Sequence, residues 1–490
     1  MLLRLSMVGL GASRDRALRR RPRVRQRAEG NSVEMVLGVP KSMVVRLGWV
    51  ALTFGAIQFL RLLNNVILTR LLDPSVFGLM SLVVAIRVGM ELVSDLGVTQ
   101  NIVSNPRGHE PRFYDTAWTL HSSRNLVLAA LCFLLAGPFA IFFGHPELAM
   151  ILPVASLFFI LSGFESTTRG VIHKQIKVGR LSVYEIGLAL VSMLAQIGSA
   201  LIFRNVWAIM VGMMVTSAAT LVATFFLMPG TRHRFMIDPQ SARELLHFGK
   251  WVFLSSIVYF FAMNFDRLYF ARQITLAELG IYGIARNLAE VISQLVTRGS
   301  GFVLYPTVAA SGLAPVELRQ KLLRGRRTLL FAAAVGLGFF TAFSSIIVEL
   351  LYDPRYSQAG VILPILCIGV WFGILTSTND SILMGLSRPA YPALSNAAKL
   401  FAYLVGAPLA FHFYGFMAAV AVIAGGEIVK YVALWALSHK EHLRFGRDDL
   451  VLTIAFAGTA LVVGEVLRML GLTGTAHPIH FRTITAALGL

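Results

Sequence analysis

Charged side chains are scarce in this chain: Asp, Glu, Lys and Arg make up 14% of its 490 residues, where an ordinary soluble domain has about 25%. That deficit excludes a conventional water-facing surface. Cysteine is scarcer still, and Cys132 and Cys367 each stand inside an apolar segment, which argues against a disulfide framework or a thiolate metal site. No Walker loop, dinucleotide fingerprint, zinc motif or nucleophile elbow occurs. The chain therefore reads as a non-enzyme without a cofactor. Acidic residues number 25 against 44 Lys and Arg, a formal charge of +19. This surplus is dispersed over many short loops with no nucleic-acid fold signature, so no nucleic acid is expected as a partner.

What the chain has in quantity is apolar length. Hydrophobic residues reach 56% and the mean hydropathy is +0.69. Apolar windows of about 20 residues, enough to cross the hydrocarbon core as a helix, recur at 44–69, 77–103, 116–144, 148–172, 181–203, 206–229, 247–271, 277–305, 328–351, 358–385, 391–413, 415–438 and 449–471. They predict an all-α polytopic membrane protein surrounded by membrane lipids, with about 12–14 transmembrane helices. The closing stretch "LTGTAHPIHFRTITAALGL" is too polar to predict a fourteenth span. Residues 1–42, with "RALRRRPRVRQR" and no adjoining apolar h-region, read as a basic cytoplasmic tail rather than a signal peptide.

With that tail inside, alternate loops collect the basic residues. Arg319, Lys321, Arg324, Arg326 and Arg327 fall in one cytoplasmic connection, and Lys174, Lys177, Arg232 and Arg234 in others, whereas the opposite loops hold only Arg70, Arg204, Arg272 and Arg355. Because cytoplasmic loops retain Lys and Arg, the amino terminus is predicted to be cytoplasmic. External loops of about ten residues leave no room for a soluble catalytic domain. Pro138, Pro153, Pro364 and Pro408 are expected to end or kink their spans.

A weak repeat organises these spans. "WVALTFGAIQFLRLLNNVILTRLLDPSVFGLM" aligns without a gap on "WVFLSSIVYFFAMNFDRLYFARQITLAELGIY": Trp49 and Trp251, Phe59 and Phe261, Arg70 and Arg272, and Gly78 and Gly280 all stand 202 positions apart. Each copy opens a six-span block of the same predicted orientation. This suggests two parallel six-helix lobes, an N-lobe over 43–230 and a C-lobe over 247–440, joined by a cytoplasmic linker over 231–246 and followed by an additional span and tail over 441–490.

Charges persist inside the spans. In "AIRVGMELVSDLG", Arg87, Glu91 and Asp95 are four apart, and a helix drifts only about 40° per four residues, so a continuous helix would carry all three on one stripe. The eighth span offers Arg286 and Glu290 at the same spacing, continued by Gln294. Further intramembrane polar groups are Arg61, Asn64 and Asn65, Arg124, Glu165 and Arg169, Asp266 and Arg267, and Asn379 and Asp380. A charged group facing lipid at a helix centre costs about 2.5–3.5 kcal/mol on insertion scales, so these side chains are expected to point inward. They either neutralise one another in local pairs or line a water-filled cavity. The cavity reading assigns the substrate-binding wall to Arg61, Arg87, Glu91, Arg124, Asp266, Arg267, Arg286 and Glu290, with Asp95 and Asp380 as coupling candidates. Arginine suits phosphate, since its planar fork donates two hydrogen bonds and its charge persists at every relevant pH.

The segments "NNVILTRLLDPSVFGLMSLV", "GVIHKQIKVGRLSVYEIGLALVS", "NFDRLYFARQITLAELGIYGIARNLAEV", "GFVLYPTVAA" and "ILMGLSRPAYPALSNAAKLF" together resemble the polysaccharide transport, or O-antigen flippase-like, branch of the multidrug/oligosaccharidyl-lipid/polysaccharide exporter superfamily, over about residues 43–440. The resemblance implies two six-helix lobes in a V shape in a bacterial inner membrane. It further implies movement of an undecaprenyl-pyrophosphate-linked oligosaccharide from the cytoplasmic to the periplasmic leaflet for exopolysaccharide, capsule or O-antigen assembly. A polysaccharide polymerase and export machinery would be partners. Asp266, Gly280 and Tyr282 match a recurrent D…G-x-Y pattern of the family. Asn64 and Asn65 stand where lipid II flippases commonly have an Arg-Asp pair, a departure that argues against lipid II as the substrate. The alternatives are a multidrug/cation antiporter of the same superfamily, which would need an acidic cavity, and a membrane-embedded glycosyltransferase or polymerase, which would need a large external loop.

Overall fold

The computed structural model describes residues 41–472 apart from 96, 99–106, 108–109, 167–177, 227–232, 312–314, 387, 389, 442 and 444. The basic tail, Arg169, Lys174, Lys177, Arg232 and the polar carboxyl end lie outside the described residues. The chain divides into Met1–Gly48 and Trp49–Leu490. In the first unit Lys41–Gly48 is helical; the second unit holds the helical bundle.

Each predicted span overlaps a helix, although helix in the one predicted over 77–103 runs unbroken only to Val93, and parts of 77–103, 148–172 and 206–229 lie outside the described residues. In order the helices are α1 (Lys41–Leu71), α2 (Pro74–Val93), α3 (Pro111–Leu134), α4 (Ala136–Phe143), α5 (Leu148–Gly163), α6 (Val178–Phe203), α7 (Val206–Phe226), α8 (Pro239–Gln273), α9 (Leu276–Ser311), α10 (Pro315–Ala342), α11 (Ser344–Leu351), α12 (Ala359–Gly385), α13 (Ala390–Tyr414), α14 (Phe416–Ser438) and α15 (Gly446–Met469). Among the described residues eight helices are long and apolar enough to cross a membrane, or ten when each bent pair is taken as one span.

Local chemistry explains the helix starts. Pro74, Pro111 and Pro239 each open a helix behind an acidic residue, where a missing N–H costs nothing. At α9, Thr275 Oγ1 accepts from the Glu278 N–H while the Glu278 carboxylate accepts from the Thr275 N–H at 3.0 Å, a reciprocal cap. The third span of each lobe is bent: α3 meets α4 at 53° and α10 meets α11 at 63°. Pro138 stands in the first turn of α4, where it cannot continue the hydrogen-bond ladder of α3.

The repeat has a direct structural consequence at the crossing of α2 and α9. A Cβ on Gly78 would stand 1.8 Å from the carbonyl oxygen of Leu276, and one on Gly280 would stand 2.0 Å from that of Pro74. Pro74 and Leu276 are themselves 202 positions apart. The contact therefore maps onto itself when the two copies exchange, and the pseudo-twofold axis passes between these helices.

The arginine-poor end is fastened at the same place. Arg355, in the turn after α11, donates to Asp73 from the first copy, to Asp353 at 2.9 Å and to the Thr69 carbonyl at 3.4 Å, while the Tyr356 hydroxyl donates to the Leu72 carbonyl at 3.2 Å. The guanidinium holds the Asp353 carboxyl below its ordinary range. His145 Nε2 lies 2.9 Å from the Ala271 carbonyl, and Arg272 stacks over Phe142. Exposed pairs of this kind contribute only about 0–1 kcal/mol each. Arg355→Ala should thus leave thermal stability nearly unchanged while raising the labelling rate of a cysteine placed at Ser75, which leaves Asp73 in place; an unaltered labelling rate would show that the fork does not hold this end.

Two other features set how the halves connect. Residues 233–238 run extended along α3, whose side chains Asp115, Thr119 and Thr116 accept from the backbone N–H of Arg234, Met236 and Asp238 at 3.3, 3.1 and 2.9 Å. His233 stacks on Tyr114 and Trp118, and its Nε2 lies 2.7 Å from Ser166 Oγ. The linker is thereby stitched to the N-lobe.

Burial pushes the His233 imidazole below its ordinary value against the opposing pull of Asp115. The unfolded chain takes up the proton first as pH falls, so docking is fully stable above about 6.5 and weakens toward the lower folded value. Melting curves of the wild type should fall between pH 7.5 and 5 by more than those of His233→Phe, which keeps the stack without the titrating nitrogen; parallel pH profiles would refute this assignment.

At the other feature, Arg326 is fully buried and ties α15 to the C-lobe. Its guanidinium donates to Asp449 at 2.6 Å and Asn379 at 3.3 Å and covers the Phe445 ring, and the Tyr431 hydroxyl donates to Asp449 at 2.9 Å. The sequence placed Arg326 in a cytoplasmic loop; α10 begins earlier, at Pro315, and carries it into the bundle.

Candidate functional site

A cavity of about 640 Å³ lies between α1, α6, α7 and α9. Its wall is built by helical spacing. Gln58, Arg61 and Asn65 follow one another on α1, Glu185, Leu188, Ser192 and Gln196 on α6, and Asn287, Glu290 and Gln294 on α9, three- and four-residue steps that keep each set on one face. Gly212 of α7 would bring a Cβ to 2.5 Å from the Gln196 side chain, so its bare backbone gives Gln196 its seat. Gln196 then donates to Ser192 at 2.9 Å and accepts from Asn64 at 3.1 Å. Across the lobes Gln58 donates to Gln294 at 3.4 Å.

Of the predicted wall, Arg61 and Glu290 line this cavity. Behind Glu290 stands a compact cluster: Arg286 bonds Glu290 at 2.8 Å, the Met263 carbonyl and Asp266, Arg267 reaches Glu290 at 3.8 Å, and the Tyr282 hydroxyl donates to Asp266. Asp266, Arg267, Arg286 and Glu290 are thus brought together, with Tyr282 of the D…G-x-Y pattern.

Arg87 and Glu91 pair with each other at 2.8 Å in the N-lobe, where Arg87 also lies over the Phe158 ring. Asp95 is not on their stripe. Helix α2 ends at Val93, and Asp95 instead accepts from the Gly97 N–H at 2.9 Å and faces Arg124 at 3.5 Å; Gly97 at φ 61 makes this turn possible. The two Arg-x-x-x-Glu motifs are also not equivalent positions. They stand 199 apart rather than 202, and three residues rotate a helix by about 300°, so Arg286 faces its own lobe's Asp266, while among the described residues Arg87 pairs with Glu91.

Asp380, the other coupling candidate, accepts from Lys430 at 3.2 Å, and Lys399 bonds Glu427 nearby. Lys399, Glu427 and Lys430 were overlooked in the sequence. The spacing Glu427-x-x-Lys430 inside "AVIAGGEIVKYVALWAL" was the signal available. Among the described residues no group of three or more His, Cys, Asp or Glu is arranged to hold a metal ion.

The family model described as "Polysaccharide biosynthesis protein" matches residues 67–360, more than half of the chain. The chain belongs to this family. Among its relatives, the lipopolysaccharide biosynthesis protein WzxC of Escherichia coli (strain K12) is 24% identical over 73% of this chain and 72% of its own length. The succinoglycan biosynthesis transport protein ExoT of Rhizobium meliloti (strain 1021) is 22% identical over 71% and 70%. The structure of the lipid II flippase MurJ in its inward closed conformation superposes with a TM-score of 0.71 at 13% identity, covering 86% of this chain and 93% of that one, which places the family member in the two-lobe, all-helical membrane fold.

Proposed function

We propose that this family member is a flippase that carries an undecaprenyl-pyrophosphate-linked oligosaccharide from the cytoplasmic to the periplasmic leaflet by alternating access. The observation that supports the reading most is the cavity between the lobes, whose wall is rich in hydrogen-bonding side chains and balanced in charge. Arg61 and Glu185 are one of each sign, and Glu290 is met by Arg286 and Arg267. A drug-cation antiporter would gain from surplus carboxylate, and this wall has none to spare.

By the distribution of loop arginines, the end fastened at Gly78, Gly280 and Arg355 faces the periplasm, so the cavity serves the cytoplasmic leaflet in this conformation. The glycan and pyrophosphate occupy the cavity while the polyprenyl tail stays in lipid. Arg286 and Arg267 act through Glu290; Arg87 with Glu91 and Arg124 with Asp95 form a second charged patch in the N-lobe. Polymerase and export proteins would consume the product and so drive net transfer.

A strain lacking this protein should accumulate lipid-linked oligosaccharide on the cytoplasmic leaflet, scored by protection from a membrane-impermeant glycosidase in spheroplasts. Unchanged surface exposure of the lipid-linked glycan in that strain would refute the reading.

A further inference from the structure

Six carboxamides meet in the cavity wall: Gln58, Asn64, Asn65 and Gln196 from the N-lobe, and Asn287 and Gln294 from the C-lobe. Carboxamides offer two donors and an acceptor without charge, so they keep hydrogen-bonding capacity inside a membrane protein at far lower desolvation cost than ions. Sugar hydroxyls are both donors and acceptors, and a vicinal pair can bond both ends of one amide. An anion site would instead show surplus cations or converging N–H groups, and here the nearby guanidinium groups are balanced by carboxylates.

Among the described residues the Asn64 Oδ1 acceptor is buried with no hydrogen-bond partner, while Asn64 Nδ2 is taken by Gln196. Leaving such a group unsatisfied costs about 1–3 kcal/mol, which an incoming hydroxyl would relieve. The volume lies within the range of about 300–1,000 Å³ of pockets that enclose a small ligand, enough for a short piece of a glycan.

Resting on the flippase reading, we infer that this amide girdle is a binding subsite for uncharged sugar units, recognised by their hydroxyl and N-acetyl groups, and that the carrier pyrophosphate is not what it selects. The bond from Gln58 to Gln294 joins the lobes, so a sugar that takes either amide replaces a contact between lobes with a contact to substrate. Glycan occupancy and lobe movement are coupled by that exchange.

The test uses the full-length protein in lipid nanodiscs and three calorimetric probes: farnesyl pyrophosphate, its conjugate with a neutral N-acetylglucosamine disaccharide, and a conjugate in which glucuronate replaces the outer sugar. Wild type should bind the neutral conjugate about tenfold more tightly than bare farnesyl pyrophosphate, and the glucuronate conjugate less tightly than the neutral one. Asn64→Leu combined with Gln196→Leu should erase that advantage and leave the bare probe's affinity unchanged. Asn287→Leu, at an exposed position, should reduce it several-fold and keeps the test valid if the double variant misfolds. Retention of the full advantage by both variants, or tighter binding of the glucuronate conjugate, overturns the subsite. Equal wild-type binding of all three probes overturns the subsite alone, whereas no binding of any of them overturns the flippase reading together with it.

Discussion

Gly78→Ala is expected to abolish transport in a complementation assay while the protein still inserts in the membrane. The new Cβ would meet the Leu276 carbonyl oxygen at 1.8 Å and its carbon at 2.8 Å. Both atoms are backbone, so no side-chain rotation relieves the clash; α2 and α9 must separate. Forcing a methyl into a packed contact costs about 1–3 kcal/mol, and occasionally more, and about 1.4 kcal/mol is tenfold in a population.

The conformation closed at the arginine-poor end should therefore fall by about fivefold to a hundredfold, and Gly280→Ala should do the same through the Pro74 carbonyl at 2.0 Å. The readout is cross-linking between cysteines placed at Ser75 and Ser357, which leave the Arg355 and Asp73 pair intact, with a bifunctional reagent; Cys132 and Cys367 are buried and do not compete. Wild-type cross-linking and wild-type export in both alanine variants would refute the role of this crossing.

The second large effect concerns Arg286. Asp266 is 2% exposed and receives Arg286 and the Tyr282 hydroxyl. Arg286→Ala would leave a buried carboxylate without its cation, a change that costs about 3–5 kcal/mol in comparable pairs. A substantial fall in the melting temperature of detergent-purified protein should follow, with loss of export.

Adding Asp266→Asn removes the stranded charge, so the double variant should regain most of the stability. It should not regain export, because Glu290 then loses its 2.8 Å partner, faces Arg267 at 3.8 Å and presents excess negative charge to the pyrophosphate-bearing substrate. Full export by the stable double variant would reduce Arg286 to a purely structural role. Arg286→Lys is expected to fall between, since an ammonium cannot reproduce the planar fork that reaches Asp266, Glu290 and the Met263 carbonyl together.

Much of the architecture was legible in the sequence because it depends on local properties. Apolar length placed thirteen spans, each overlapping a helix, and Pro138 marked the break that separates α3 from α4. The 202-residue offset anticipated two related lobes, and the glycines it aligned are the pair that touch across the axis. The charged stripe failed at Asp95 for an equally local reason: a two-residue turn closed on Gly97 ends α2 before the periodicity can continue.

What the sequence by itself determined is which helices exist, where apolar length can bury them in lipid, and that charge must face inward. Only the tertiary structure decided how the charges are satisfied. Arg326 meets Asp449, Lys399 meets Glu427, and Arg286 turns to Asp266 although its nearest sequence partner is Glu290. The cavity wall likewise draws Asn64, Gln196 and Asn287 from helices far apart in the chain. Periodicity fixes the face on which a side chain stands; which side chain it confronts depends on helix crossings, and those are set by contacts as specific as two bare glycine backbones.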